Sequence, residues 1–431
     1  MAENRFSRFN HLFSRENVNL IYNSLSNAFV ALDKESFDLL SKLHAGDDTS
    51  TLPEDIKGML LKIKGIADDE FEVDKIKYVT RSTRFDDSHL ALTINPTLAC
   101  NFACPYCFEY DHNGKTMTTE TEDRIVDFVK SHSEAKSMRI TWFGGEPLIA
   151  FDRIESLSKK LLSLGLEYDA GIISNGYLVN EDVAKRISHL HITSMQITLD
   201  GLKERHDSRR CLKNGGATFD RIISSMKLLR EFAPDMRIGI RVNIDHENDQ
   251  EFITLYKFIT EEFDGKVSVF PAFTGDSTEK GTCNLYNRND RIKFAIKMFN
   301  EHGLVFDSFY PQSFRMECAI RKRATYVIGP EGELYGCWND VGNPSRVYGN
   351  ISEDLTNESL FISYKTKADP LEDPNCLKCL LFPACNGGCP YERIKRLERG
   401  DPPADCPLIK DNIDNHLWNH YLCRQKSIPN P

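Results

Sequence analysis

The chain has no stretch approaching the ~18 consecutive apolar residues needed to span a bilayer. Its opening, MAENRFSRFNHLF, lacks an apolar run followed by a small-residue cleavage site, so no secretory signal is expected. Both absences point to a cytoplasmic protein with no membrane partner. Positive charge is also in deficit: 54 Lys and Arg against 64 Asp and Glu leave a net charge of −10. Phosphate binding wants a basic face, so nucleic acid is not expected as a partner. Internal repeats and low-complexity tracts are missing, and residues 1 to about 90 contain no cysteine. What the chain does have is thirteen cysteines beyond that point. A reducing compartment disfavours disulfides, which leaves metal binding or redox chemistry as the default explanation.

At 431 residues the chain is too long for one ordinary core, and two or three domains are expected. In the cysteine-free part, VNLIYNSLSNAFVALD reads as a hairpin turning at Ser24-Leu25-Ser26-Asn27. KESFDLLSKL follows with Phe37, Leu40 and Leu43 at helical spacing, and LPEDIKGMLLKIKGI reads as a second short helix. A hairpin followed by small helices is compatible with a winged-helix-like α+β module. From residue 91, strands ALTINPT, SMRITWF, AGIISN, ITSMQITLD, MRIGIRVNI and KVSVFPAF alternate with helical runs. Parallel neighbours need crossover connections, so six such units predict an α/β fold with a parallel sheet. Six are too few for an eight-stranded barrel. A doubly wound sheet and a partial barrel both remain open on periodicity alone. From about Ser308 the chain carries eight of its cysteines and few long periodic runs, so metal rather than a large apolar core is expected to hold it.

Chemistry-bearing residues start directly after the first strand, at Cys100-Asn-Phe-Ala-Cys104-Pro-Tyr-Cys107. Three thiolates this close suit three irons of a cubane cluster and leave the fourth iron open. Zinc is the competing reading, although a structural zinc prefers four protein ligands. The second strand ends in Gly144-Gly145-Glu146-Pro147, the third in Ser174-Asn-Gly176 and the fourth in Thr198-Leu-Asp200-Gly201. Ends of parallel strands are where α/β folds bind ligands. His206-Asp207-Ser-Arg-Arg210 offers a guanidinium suited to a carboxylate, with a surface ion pair as the plainer account. Near the C-terminus, Cys318, Gly332 and Cys337 are followed by Cys376-x2-Cys379-x5-Cys385-x3-Cys389 and then Cys406. A zinc ribbon or a ferredoxin-like cluster accounts for Cys376 to Cys389 alone, but not for the upstream pair.

Cys-x3-Cys-x2-Cys after the first strand, with GGEP one strand later, resembles the signature of the radical S-adenosylmethionine (SAM) superfamily. The C-terminal cysteines resemble its SPASM extension. The resemblance covers residues 91 to about 410. It implies a partial (β/α)6 TIM-like barrel over 91–305, an N-terminal module over 1–90 and a SPASM domain over 306–431. It also implies S-adenosyl-L-methionine and three 4Fe–4S clusters. The first cluster takes Cys100, Cys104 and Cys107. One auxiliary cluster takes Cys376, Cys379, Cys385 and Cys406; the other takes Cys318, Cys337 and Cys389, with Cys283 or an open iron completing it. Cys211, Cys283 and Cys423 otherwise read as buried thiols. Cofactor contacts are implied at Tyr106, Gly144, Gly145, Glu146, Pro147, Ser174, Thr198 and Arg210, with backbone and carboxylate oxygens of GGEP receiving the methionine ammonium.

SPASM enzymes modify peptides and proteins. Sulfatase maturases make formylglycine and begin close to the cluster loop, with an aspartate base directly after the second upstream SPASM cysteine. Here some ninety residues precede the loop, and Trp338 takes that position with Asp340 two residues on. The expected activity is therefore that of a peptide maturase. It would crosslink a ribosomally made precursor by a thioether or carbon–carbon bond, drawing electrons from a donor such as flavodoxin or ferredoxin. Asp340 remains the candidate base if the chain is instead a sulfatase maturase. A non-catalytic iron–sulfur electron carrier is the alternative from another class, and GGEP beside an open-site cluster argues against it.

Overall fold

The computed structural model describes residues 4–67, 69–109, 114–275, 284–306, 318–353, 355–367, 369–385, 387–402 and 406–425. The chain forms two compact units. One joins Met1–Phe85, Arg288–Lys322 and Tyr364–Pro431; the other joins Asp86–Asn287 and Arg323–Ser363.

In the first unit, β1 (Asn10–Arg15), β2 (Val18–Asn23) and β3 (Ala28–Leu32) form an antiparallel meander. Glu16 and Asn17 turn the first hairpin with φ of 52° and 64°, the left-handed pair that matches strand twist in a two-residue turn. The second turn is the one expected at Ser24 to Asn27. The Asn23 carboxamide oxygen fixes it by accepting from the Leu25 and Ser26 amides at 3.1 and 3.0 Å. Helices α1 (Lys34–Leu40), α2 (Glu54–Lys62) and α3 (Asp69–Arg84) follow. Ile21, on one face of the meander, packs with Leu40, Ile56 and Leu60. The opposite face carries Phe13, Leu20 and Tyr22, which share a core with Leu381, Ile409, Leu417 and Trp418 from the far end of the chain. Phe9 and Ile76 likewise meet Leu371 and Phe382. Arg84 forks onto the Asp369 carboxylate at 2.6 and 2.7 Å, and Arg8 donates to the Leu377 carbonyl at 2.9 Å.

This corrects one expectation. The cysteine-rich C-terminal segment does have an apolar core, supplied by residues some 350 positions earlier. Local periodicity carries no sign of such distant partners, because a period reports only which side chains share a face.

In the second unit, β4 (His89–Ile94), β5 (Ser137–Trp142), β6 (Glu167–Ser174), β7 (Ile192–Thr198), β8 (Arg237–Ile244) and β9 (Val267–Phe273) are all parallel and lie side by side in chain order. The crossovers carry α4 (Thr119–Ser131), α5 (Phe151–Leu162), α6 (Glu181–Ser188), α7 (Lys203–Arg209), α8 (Phe219–Phe232) and α9 (Phe252–Glu262). β9 does not pair with β4, so the sheet is open. Beyond β4 it continues into β10 (Thr325–Ile328), parallel to β4, and then antiparallel β11 (Glu333–Tyr335) and β12 (Val347–Asn350).

Strands buried on both sides read as unbroken apolar runs, and β8 does not. Ile238, Ile240, Val242 and Ile244 are buried, while Arg241 and Asn243 between them are only half-buried. Register places Thr198 beside Arg241 and Thr93 beside Thr141. One face of the sheet is thus apolar and buried, and the other is polar. No helix among the described residues is long and apolar enough to cross a membrane.

Candidate active site at the ends of the parallel strands

The cysteine loop leaves the end of β4 and is propped from beneath. Asn95 donates to the Ile328 carbonyl at the end of β10 from its amide at 2.9 Å and from its side chain at 2.8 Å. Leu98 packs with Val327, Tyr335 and Val341. Within the loop the Cys107 amide donates to the Cys104 carbonyl at 3.2 Å, and the Ala103 amide donates to the Cys211 carbonyl at 3.0 Å. Burial pushes the Cys100 thiol up to about 12, and Cys104 is among the groups that raise it further. Cys104 is raised by burial and by Cys107, with Arg210 opposing. Cationic charge is therefore what Cys100 and Cys104 need to ionise. Among the described residues no three His, Cys, Asp or Glu side chains converge on a single metal ion.

Gly144 and Gly145 are dictated by contact. A Cβ on Gly144 would sit 2.4 Å from the Thr97 carbonyl oxygen; one on Gly145 would sit 2.4 Å from that of Ala99 and 2.6 Å from that of Leu98. Both obstacles are backbone of the cysteine loop, which the Gly145 and Glu146 amides also bond at Thr97 and Ala99. Gly145→Ala should therefore displace the loop. We expect a loss of about 1–3 kcal/mol in stability, as for overpacking elsewhere, and at least a tenfold slower release of 5′-deoxyadenosine. A melting temperature and cleavage rate matching the parent would show that the contact is slack.

Glu146 is fully buried, and its carboxylate serves the fold. It caps the short 3-10 turn opened by Pro147 through the Leu148 amide at 3.0 Å. It also accepts from the Ser174 hydroxyl at 2.8 Å and the Asn175 amide at 2.7 Å. Burial pushes its carboxyl up to about 7 despite these donors. Ser174, expected as a cofactor contact, is thus tied to Glu146, and it also accepts from the Gly176 amide at 2.9 Å. Asn175 reaches back to Asn101, inside the cysteine loop, at 2.7 Å.

On the far side, the Tyr106 hydroxyl donates to the buried Asp200 carboxylate and accepts from Arg210 Nη1 at 2.7 Å. Burial and the Asp200 charge hold the phenol protonated well above its usual range, with Arg210 opposing. The paired arginines divide the work. Arg209 is spent on Asp245, at 2.8 and 3.2 Å, and on Glu247 at 3.2 Å. Arg210 has no carboxylate within ion-pair distance among the described residues, and its buried Nε has no hydrogen-bond partner. The surface ion pair that sequence alone allowed for it is not present. Its guanidinium is held charged by Cys104, Tyr106 and Asp200 against the penalty of burial. His206, between Asp200 and Thr218, is kept neutral by burial and by Arg210. Thr198 ends β7 next to Arg241. Asp200 belongs to the strand-end element Thr198-Leu-Asp200-Gly201, whereas Asn101 and Arg241 were not singled out; Asn101 lies between motif cysteines and Arg241 lies inside β8.

The other expected ligands fall as follows. Cys376, Cys379, Cys385 and Cys406 line one pocket in the first unit, together with Arg393 and Lys410. Cys318 and Cys389 are exposed residues of that unit, while Cys337 belongs to the second. Cys283 lies outside the described residues. Cys423 is buried, as expected, and Cys211 flanks the cysteine loop. Trp338 and Asp340 share a 3-10 turn after Cys337. Trp338 is 45% exposed and Asp340 2%. The Trp338 ring lies 5.8 Å from that of Phe143, which stacks on Phe108 at 6.1 Å.

Residues 94–259 match the Radical SAM superfamily. The chain is similar to the serine-type anaerobic sulfatase-maturating enzyme of Bacteroides thetaiotaomicron, 24% identical over 354 residues that span 70% of this chain and 83% of that protein. Among solved structures, AdoMet-bound anSMEcpe shares the fold with a TM-score of 0.62 at 21% identity, covering 78% of this chain and 98% of its own. SuiB of Streptococcus suis, bound to precursor peptide SuiA, shares it with a TM-score of 0.55 at 15% identity, covering 94% and 98%. SAM and one 4Fe–4S cluster go with this superfamily, and the site fits both: three thiols on one loop, and a buried guanidinium with an unused donor that favours a charged Cys104. Residues 94–259 are a radical SAM domain, and the chain that carries it is an enzyme homologous to the anaerobic sulfatase maturases.

Proposed function

We propose that this enzyme oxidatively crosslinks a ribosomally made precursor peptide, forming a thioether or carbon–carbon bond. The observation that carries the reading is the turn after Cys337. An exposed Trp338 stands where sulfatase maturases place their base, and the nearest carboxylate, Asp340, is buried with Arg346 Nε at 3.9 Å. A base must come within hydrogen-bond reach of the proton it removes, and a sealed carboxylate is poorly placed to do so. Cys100, Cys104 and Cys107 would hold a 4Fe–4S cluster, which would supply the electron for reductive cleavage of SAM. Arg210 offers its free donor to the methionine carboxylate. Tyr106, held by Asp200 and Arg210, and the polar face around Thr198 wall the reacting centre. The β1–β3 meander with its helices, in the winged-helix-like role, receives the leader by strand addition.

Crosslinking removes two hydrogens. One leaves as an atom to 5′-deoxyadenosine; the other leaves as a proton, with the remaining electron passed to an acceptor. We assign that acceptor to auxiliary clusters, one at Cys376, Cys379, Cys385 and Cys406, the other at Cys318, Cys337 and Cys389, in a SPASM domain. The same reading carries a cytoplasmic location, a flavodoxin or ferredoxin donor, and no nucleic-acid or membrane partner.

The test turns on Cys337 and Asp340. Asp340→Asn should keep at least half of precursor modification, while Cys337→Ala should abolish it. The product should be two hydrogens lighter and retain its sulfur. The curated relatives are named sulfatase maturases, and that alternative has its own signature. A cysteine peptide that loses sulfur and gains an aldehyde, with activity collapsing in Asp340→Asn, would make this chain one of them.

A further inference from the structure

The pocket lined by Cys376, Cys379, Cys385 and Cys406 contains a deeply buried cation. Arg393 lies on the helix Pro390–Glu398 and is only 1% exposed. Burying a guanidinium is costly unless anions and acceptors surround it. Its Nη2 donates to Asp373 at 2.9 Å, and its Nη1 reaches the Gly387 carbonyl at 3.3 Å and Cys376 Sγ at 3.5 Å. The Nε has no partner among the described residues. Asp373 Oδ2 itself lies 3.5 Å from Cys376 Sγ. That contact suits a thiol but repels a thiolate, so once Cys376 ionises to bind iron, Arg393 is what separates two adjacent anions. Across the pocket, exposed Lys410 places its ammonium 3.4 Å from Cys406 Sγ.

We infer that Arg393, with Lys410 in a lesser role, sets the reduction potential of the iron–sulfur cluster at these four cysteines and raises it toward electron acceptance. The inference rests on the reading above that a cluster sits there. Reduction takes a 4Fe–4S core from the 2+ to the 1+ state and adds negative charge to a group already made anionic by four thiolates. Cationic donors on the sulfurs favour the reduced form more than the oxidised one. The electron comes from the substrate-derived radical, whose oxidation completes the crosslink, and the accompanying proton goes to solvent. Arg393 touches neither substrate nor SAM and acts only through the cluster.

The test is an anaerobic redox titration of the full chain, followed by electron paramagnetic resonance. A Cys100→Ala, Cys104→Ala, Cys107→Ala background silences the first cluster. Arg393→Met should shift the reduction equilibrium at least tenfold toward the oxidised form, a fall of about 59 mV for a one-electron couple. Arg393→Lys should keep most of the parent value, and Asp373→Asn added to Arg393→Met should restore much of the shift, because the stranded carboxylate is gone. Lys410→Gln should move the potential the same way by a smaller step. Iron content equal to that of the background, about eight irons in two cubanes, with unchanged potentials in Arg393→Met and Lys410→Gln would overturn the inference. If Arg393→Met loses its iron, Lys410→Gln decides alone, a shift supporting the inference and no shift overturning it. Failure of the underlying reading has a separate mark: iron content unaffected by Cys376→Ala with Cys379→Ala.

Discussion

Replacing Cys100, Cys104 and Cys107 together by alanine should abolish SAM cleavage and remove about a third of roughly twelve irons, one cubane of three. The loop carrying them is held by bonds that do not involve the thiols: Asn95 to Ile328, Ala103 to Cys211, and the Gly145 and Glu146 amides to Thr97 and Ala99. Loss of the sulfurs should leave the fold of the second unit intact, with an unchanged far-ultraviolet spectrum. The chemistry has no second source, since the remaining cysteine near the loop, Cys211, offers a single thiol. Iron analysis and chromatography of 5′-deoxyadenosine on protein prepared without oxygen check both halves. Undiminished cleavage in the triple variant, or zinc in place of iron in the parent, would end the central claim.

Deleting residues 1–85 should cost the protein the four-cysteine pocket of the first unit, not merely a peptide-binding surface. Leu381, Phe382, Leu417 and Trp418 are buried beside Phe9, Phe13, Leu20 and Tyr22. Stripping cover from four such side chains costs on the order of 6–12 kcal/mol at about 1.5–3 each. That is comparable to the ~5–15 kcal/mol that holds a whole domain together. The loss of Arg8 and Arg84 adds an unpaired Asp369 and a free Leu377 carbonyl. We expect the shortened chain to aggregate or to lose the irons of that pocket, and residues 364–425 to be cut within minutes by a protease that leaves the parent intact. A soluble product with full iron content would show that the meander is dispensable to the core and free to act only as a recognition module.

The six parallel strands were legible because each is a short β-branched run followed by an amphipathic helix, and the reading of ALTINPT through KVSVFPAF meets β4 through β9 in order. β1 was not: NHLFSR is half polar, and its turn uses Glu16-Asn17 rather than a glycine. α3 escaped for a similar reason, since Phe71 and Tyr78 are exposed and Ile76 is nearly alone in the core. β10 to β12 are three or four residues long and gain their place by adding to an existing edge. At the site, the motif residues were visible, but their division of labour was not. That Glu146 holds Ser174 and Asn175, that Arg209 is spent while Arg210 keeps a free donor, and that Arg393 faces four cysteines all depend on which side chains meet across loops. Spacing along a chain does not report that.

The shared core of the first unit also sets a timetable for the protein's birth. Phe13, Leu20 and Tyr22 leave the ribosome some 360–400 residues before Leu381, Leu417 and Trp418. At ~5–20 residues per second the wait is roughly 20–80 s. Through that interval one apolar face of the meander has no native cover. The strands β4 to β9 have all been made before the pocket of Cys376 to Cys406 begins to emerge. Under the proposed cluster assignment, the residues of the first iron site are all made while the second is still unmade, so the two can be loaded at different times.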